Sequence, residues 1–448
     1  MSEVPGLRAL EAFHRAAARV PAYRILLAEA GIDPEAIVDI DDFRTLPVIE
    51  KRNTFQRFPI EELCLDGVLG RPASVLTSSG HSGVFAFGVT DAEIAPAVAE
   101  GIDELLDVLY RARSRPTLLV NALPMGVKIP TRICTLAETS VRPDMVVGLV
   151  RAFAHNYAQI VLVGETAFIK HIVEMGARGG IDWKSLLIHV VVGEEPLAEN
   201  ARSYLETLLG IDPADTESGS VISSMGVAEL GLNLFFETPP QRNLIPLRRL
   251  LHGNASLRRV LLGTDTTWVP SLFTFDPNRI LVEFDENEKL VITTLESHLR
   301  IPLIRYRTGD SGSFLSVPYD IRPDLETAGF NWAVLHHFPI VSIRGRGECA
   351  YSGSFPVYPE AVKEGIYHEL SLVPFTTANF RVISDPKKAH IRVQLSETIS
   401  PTALLNERFR NAIEIYVGHP VNVTCESYED FRSGMTLDYE RKFSYLSG

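Results

Sequence analysis

The sequence predicts an α/β protein in two parts, a large N-terminal unit with a parallel sheet and a β-rich subdomain, then a small α+β unit. Three observations predict it. Between about residues 92 and 210, short apolar runs alternate with helical segments of roughly ten residues, the pattern of a parallel sheet covered on both faces. From about 259 to 314 the pattern turns to strands and hairpins. After Gly345 a segment of about a hundred residues carries a plan of its own.

Taken in order, Leu7, Leu10 and Phe13, then Ile25 and Leu26 before Gly31, predict two short amphipathic helices. A helix from Ile94 to Ala112 precedes an apolar strand at 116–125. Helix from Met145 to Phe153 precedes strand 158–164, and helix from Ala167 to Ala177 precedes strand 185–195. The segment 190–210 reads as strand, turn and a helix opening just after Pro196, a proline suited to a first turn. ILVEF and KLVITTL around the turn DENE predict a hairpin. In the small unit TANFRVIS and AHIRVQL flank the turn DPKK, a helix at 401–417 follows, and VNVTCESY is another strand. The boundary falls near 345–350, giving domains 1–346 and 347–448.

Composition excludes several classes. A net charge of −13 with no dense basic run argues against a nucleic-acid partner. No stretch reaches the ~18 apolar residues of a membrane helix, and the first twenty residues lack a signal-peptide core. Cys64, Cys134, Cys349 and Cys425 are too widely spaced for a disulfide framework or a zinc site. The expectation is a cytoplasmic protein without membrane partners.

Four motifs carry chemistry. In LTSSGHSGVFAFG (76–88), Thr77, Ser78, Ser79, Gly80, His81, Ser82 and Gly83 form a loop able to turn amides and hydroxyls toward phosphate oxygens. By residues alone it reads more readily as a plain polar turn, and the Walker spacing is absent. In SSMGVAELG (223–231), Glu229 follows Met225 and Gly226 in small or apolar company. Such a carboxylate is paired, at a turn, or a ligand for a hard cation such as Mg²⁺. GEEP supplies Gly193, Glu194, Glu195 and Pro196. PLIRYRTGDSG (302–312) reads as an apolar strand closing in Arg305, Arg307 and the turn Gly309–Asp310, and GRGEC (345–349) brings Arg346.

In this order the motifs resemble those of the adenylate-forming ligases, in particular the phenylacetate–CoA ligase-like branch, and the chain is also similar to the indoleacetate–lysine ligases. VPAYRILLAEAGIDPEAIVDIDDFRTLPVIEK (20–51) looks like the branch's N-terminal signature, and LVITTLESHLRIPLIRYRTGD (290–310) is its most specific match. The resemblance implies that a substrate carboxylate attacks the α-phosphate of ATP, giving an acyl-adenylate and pyrophosphate. It implies that Asp310 accepts from the ribose hydroxyls and that Arg346 contacts the same nucleotide. It gives the 77–83 loop the pyrophosphate side, Glu229 the Mg²⁺, and the GEEP and Met225–Gly226 segments the nucleotide wall. The cation from the small domain would be Lys442, followed by Phe443 and Tyr445, with Lys363 set aside as helix surface and Lys387 as hairpin turn. A small-molecule carboxylic acid and an acyl acceptor, most readily coenzyme A, would be the partners, and the resemblance leaves room for a homodimer.

The chain departs from the pattern in places. Val84, Phe85 and Ala86 stand where the family carries a lysine, His81 replaces a threonine, Cys349 an acidic residue, and Met225 a tyrosine. Segments 121–131 and 163–171 are expected to line the acyl pocket, with Met125, Met225 and Val227 predicting an apolar wall for an aromatic or medium acyl acid and Lys128 in a solvated loop. An amide-forming ligase, or a nucleotide binder that has lost adenylation, are the alternatives.

Overall fold

The computed structural model describes residues 3–78, 83–124, 127–237, 244–264, 266–327, 330, 339–435, 438–440 and 442–447. An eleven-stranded sheet is its backbone. One half is parallel, in the spatial order Thr135–Glu138, Thr117–Asn121, Gln159–Gly164, Ile188–Val192 and Ser220–Val227. Residues Thr117–Asn121 and Gln159–Gly164 are buried throughout, which is why they read as unbroken apolar runs. The other half is antiparallel and continues through Gly231–Phe236, Ser271–Thr274, Ile340–Gly345, Tyr306–Phe314, Lys289–Thr294 and Ile280–Phe284.

Side chains alternate between the two faces of a strand, and each face of the parallel half has its own core. Leu118, Val120, Ile160 and Leu162 pack under helices Pro143–Phe153, Thr166–Arg178 and Glu199–Leu209. Leu119, Val161, Val163 and Ile222 face helix Ala95–Tyr110 instead. Helices Glu3–Arg19 and Pro21–Glu29 cover the antiparallel half through Phe13, Tyr23 and Leu27.

After Arg346, flanked by Gly345 and Gly347 at φ +69° and +70°, the chain enters the small unit. Strands Asn422–Glu426, His390–Leu395, Thr376–Ile383 and Leu446–Ser447 form its sheet, with helices Pro359–His368 and Ala403–Val417. Its core is continuous with that under helix Glu199–Leu209.

The predicted helices and strands from 94 to 209 are present, with ends moved by a few residues. The structure corrects other expectations. Residues 259–262, expected to open the strand-rich stretch, are the end of helix Ala255–Leu262, whose Asn254 side chain accepts from the Leu257 amide at 3.0 Å and which Gly263 closes at φ +62°. Helix Glu199–Leu209 starts three residues beyond Pro196, so that proline is no first-turn residue. Its N-terminal amides go to Glu364, which accepts from Glu199 at 2.9 Å and Asn200 at 3.0 Å. The sequence plan does not contain strand Thr135–Glu138, hairpin Ala350–Ser352/Phe355–Val357 or strand Leu446–Ser447, each of four residues or fewer.

Candidate active site

The YRTGD segment is the clearest correction. The apolar run Ile301–Ile304 is buried but is not a strand; the strand is Tyr306–Phe314 itself, and Asp310 lies within it. Pro302 has no amide to give a ladder. The Leu303 and Arg305 amides donate to the hydroxyls of Thr294 and Thr293 at 3.0 and 2.9 Å, and Arg305 turns with φ +48°. The pairing of this strand shifts register near Lys289 and again at Ser311/Gly312, and Gly309 takes φ +97°, which only glycine adopts readily.

The two guanidiniums of the motif are structural. Arg305 pairs with Glu283 at 3.3 Å and bonds the carbonyls of Arg44 and Leu46. Arg307 pairs with Asp285 at 2.7 Å. Asp310 differs: among the described residues no side chain pairs with its carboxylate, and it lines a large cavity. Lys289 ties the bulge in place, its ammonium reaching the Ser311 hydroxyl at 2.8 Å and the carbonyls of Gly309 and Arg346 at 3.3 and 3.2 Å. It thereby ties the backbone beside Asp310 to that at Arg346, a role that a lysine at the start of a hairpin strand does not reveal by sequence.

The cavity, of about 390 Å³, is where most of the predicted residues meet. Its polar end is walled by Thr77 and Ser78, by Gly193, Glu194, Glu195 and Pro196, by Met225, Gly226 and Glu229, and by Asp310 and Arg346. Lys442 enters from the C-terminal tail. Gly83 is outside the wall, in the left-handed region at φ +76°. Ser79, Gly80, His81, Ser82 and Met125 lie outside the described residues. The base of that loop is closed by Ser78, whose amide donates to the Ala86 carbonyl and whose hydroxyl accepts from the Ala86 amide, both at 2.9 Å.

Glu229 is 6% exposed. Its Oε1 accepts from the Tyr306 hydroxyl at 2.5 Å, and Lys51 stands 3.5 Å from the same oxygen. Burial, then the Glu229 charge, push the Tyr306 hydroxyl up, so it stays a donor. Oε2 is buried with no partner among the described residues. An orphaned carboxylate oxygen on a residue of the cavity wall fits Mg²⁺, which takes one or two protein carboxylates and completes its shell with phosphates and water. Lys51, which also lines the cavity, puts a cation here that sequence reasoning passed over.

The other end is hydrocarbon. Ile102, Leu105, Leu106 and Leu109 from helix Ala95–Tyr110 face Leu119, Val161, Val163 and Ile222 of the sheet, with Leu123, Val127 and Ile129 beside them. Lys128 is exposed and not part of the wall. Of the expected 163–171 lining only Val163 contributes; Glu165 to His171 are the N-cap and first turns of helix Thr166–Arg178, from which Lys170 donates to the Thr376 carbonyl of the small unit at 2.6 Å.

Charges crowd the seam between the units. Glu194, at φ +71°, has its carboxyl pushed up to about 7 by burial, with Lys442 pulling it down and Glu195 adding to the rise. Burial raises Glu165 well above the carboxylate range and the neighbouring Glu195 charge adds to it. Burial opposes ionisation of Glu195 too, but Lys363 and Tyr445 hold it below its ordinary value. Lys363, expected on a helix surface, is buried at 8% exposure in an ion pair with Glu195.

No family model and no curated protein sequence matches the chain. Solved structures do. 2-Hydroxyisobutyryl-CoA ligase in its postadenylation state with 2-HIB-AMP superposes with a TM-score of 0.68 at 14% identity, over 98% of this chain and 88% of that one. The same enzyme with 2-HIB-AMP and CoA in its thioesterification state gives 0.53 at 15% identity, over 98% and 88%. Anthranilate CoA ligase AuaEII with anthranoyl-AMP gives 0.52 at 12% identity, over 83% and 66%. The chain has the adenylate-forming ligase fold.

Proposed function

We propose that the protein is an ATP- and Mg²⁺-dependent carboxylic acid ligase that forms an acyl-adenylate and passes the acyl group to a thiol, coenzyme A in the first instance. The observation that carries this reading is one cavity with a hydrocarbon channel at one end, the Asp310 carboxylate, unpaired among the described residues, at the other, and Lys442 between units. A carboxylate free of protein partners is a suitable acceptor for two ribose hydroxyls. The acid's tail would lie along helix Ala95–Tyr110 and its carboxylate would emerge toward Lys442. Attack on the α-phosphate then displaces pyrophosphate, a step that needs positioning and charge neutralisation more than covalent help.

Lys442 and Lys51 would supply that neutralisation, the latter where the family's loop lysine is replaced by Val84. Mg²⁺, when bound, adds charge neutralisation on the phosphates, and Glu229 Oε2 would hold it. Residues 1–346 would bind ATP and acid, and 347–448 would carry the moving lysine. The nearness to a postadenylation arrangement supports a tail seated for the first half-reaction. The test is pyrophosphate release from ATP and Mg²⁺ across a panel of acids, with products read by mass spectrometry before and after adding CoA. No pyrophosphate from any acid overturns the reading; an adenylate that CoA leaves unconsumed overturns the choice of acceptor.

A further inference from the structure

Lys363 has a task beyond holding a helix in place. Its ammonium bonds Glu195 Oε2, the same oxygen accepts from the Tyr445 hydroxyl at 2.8 Å, and Lys363 Nζ lies 4.3 Å above the Tyr445 ring centroid. These groups come from three places: the cavity turn 193–196, helix Pro359–His368 of the small unit, and the C-terminal tail. Beside Glu195 lies Glu165, whose carboxyl is pushed well above its ordinary value by burial and by the Glu195 charge, and Lys363 is the cation that faces the pair.

A buried ion pair is a poor means of gluing two surfaces, since well-packed hydrocarbon serves as well. Nearby the two units also meet through aromatic packing, Tyr204 tilted against Tyr367 at 6.0 Å and Phe168 against Tyr439 at 5.0 Å between ring centroids, and through the hydrogen bonds of Glu364 and Lys170. The ionic contact is placed instead where it holds the tail. Tyr445 is followed directly by strand Leu446–Ser447, which pairs with Val382 and Ile383. Only Phe443 and Ser444 separate Tyr445 from Lys442. With one end of so short a span fixed, Lys442 is confined to the cavity mouth, facing Glu194 and Glu360.

We propose that Lys363 and Glu195, acting through Tyr445, form a clamp that positions Lys442 for the first half-reaction. Lys363 is then a positioning residue and touches no reacting atom. The inference rests on the adenylating reading for its kinetic part only.

Lys363→Met, Lys363→Arg and Tyr445→Phe are compared with the parent chain in three measurements. Hydrogen exchange of amides 442–447 is expected to quicken about tenfold or more in Lys363→Met and Tyr445→Phe. Pyrophosphate release is expected to fall roughly 10- to 100-fold, with the ATP KM changed less than about threefold. Consumption of the matching synthetic acyl-adenylate by CoA is expected to stay within about threefold of the parent, and Lys363→Arg to restore most of the first half-reaction. Unchanged exchange in both variants overturns the clamp. So does quickened exchange with pyrophosphate release untouched, or an equal loss in both half-reactions. Should Lys363→Met not fold, Tyr445→Phe, which removes one hydroxyl, decides alone. If the parent releases no pyrophosphate with any acid, the adenylating reading fails while the exchange measurement still decides whether the tail is clamped.

Discussion

Helix Ala95–Tyr110 and the sheet beneath it line one end of the cavity with leucine, isoleucine and valine, whereas the turn 193–196 and helix Pro359–His368 bring Glu194, Glu195, Glu360 and Lys363 to the other. The first wall is formed within one unit, between a helix and strands that follow it in the chain. The second is formed by two units and a tail, through contacts that depend on all three being seated. A wall of hydrocarbon discriminates by shape and length, at about 0.8 kcal/mol per buried methylene. A wall of charges acts on groups that change charge, and its strength follows geometry steeply. Under the proposed function, selection of the acid and acceleration of its reaction would be separable, and substitutions should divide accordingly.

The largest effects belong to the charged wall. Lys442→Ala should slow pyrophosphate release by about 10² to 10³, the loss typical of one preorganised charge, while ATP binding stays near normal. Quench-flow measurement of both half-reactions checks this, and an unharmed first half-reaction would remove Lys442 from the chemistry. Asp310→Ala should weaken ATP binding by roughly 2 to 4 kcal/mol in calorimetry, since two hydroxyl bonds to a charged acceptor are lost. Unchanged affinity in a folded variant would sink the ribose assignment.

Next comes the apolar wall. Leu109→Trp should cut kcat/KM for the longest accepted acids by about 10- to 100-fold and leave the shortest nearly unaffected. A uniform loss across chain lengths would break the proposed separation. Glu229→Gln should raise the Mg²⁺ concentration needed for half-maximal pyrophosphate release by about tenfold, because the amide keeps the shape without the charge a hard cation prefers. An unaltered titration would return Glu229 to a purely structural role with Tyr306.

The smallest effect is on stability. The Glu194 carboxyl is raised to about 7 in the fold, so it binds a proton that the unfolded chain releases near the ordinary carboxylate value. Its contribution is full below that value and is lost as pH rises toward 7. Between about pH 5 and 7 the parent should lose roughly 1 to 2 kcal/mol that Glu194→Gln does not lose. Urea midpoints across that range measure it, and parallel curves for the two chains would count against a buried, protonated Glu194.

Much of this was legible because it is local. The parallel half shows in Leu118–Val120 and Ile160–Val163, where burial on both faces leaves no polar alternation to obscure the strands. The motifs mark Asp310, Arg346 and Glu229 because backbone shape at a site demands glycines nearby. What stayed hidden depends on partners distant in sequence. Lys363 looks like any helix lysine until Glu195, 168 residues earlier, is brought beside it. Lys51 and Lys289 are likewise ordinary until the sheet closes. Strand Tyr306–Phe314 is hidden because its buried neighbours 301–304 carry the stronger apolar signal, while the hydroxyls of Thr294 and Thr293 take the amides of Leu303 and Arg305.

Glu364 has a consequence for the order in which the protein is made. Helix Glu199–Leu209 has Ala198 before it and no cap of its own; the carboxylate that takes its first amides is 165 residues further along. A chain emerging from the ribosome at about 5 to 20 residues per second exposes that helix roughly ten to thirty seconds before Glu364 follows. Throughout that interval the start of the helix must be served by water. The surface awaiting the small unit, with Phe168, Tyr204 and the turn at 193–196, is bare for as long, which makes it the place where a nascent-chain chaperone would find its hold.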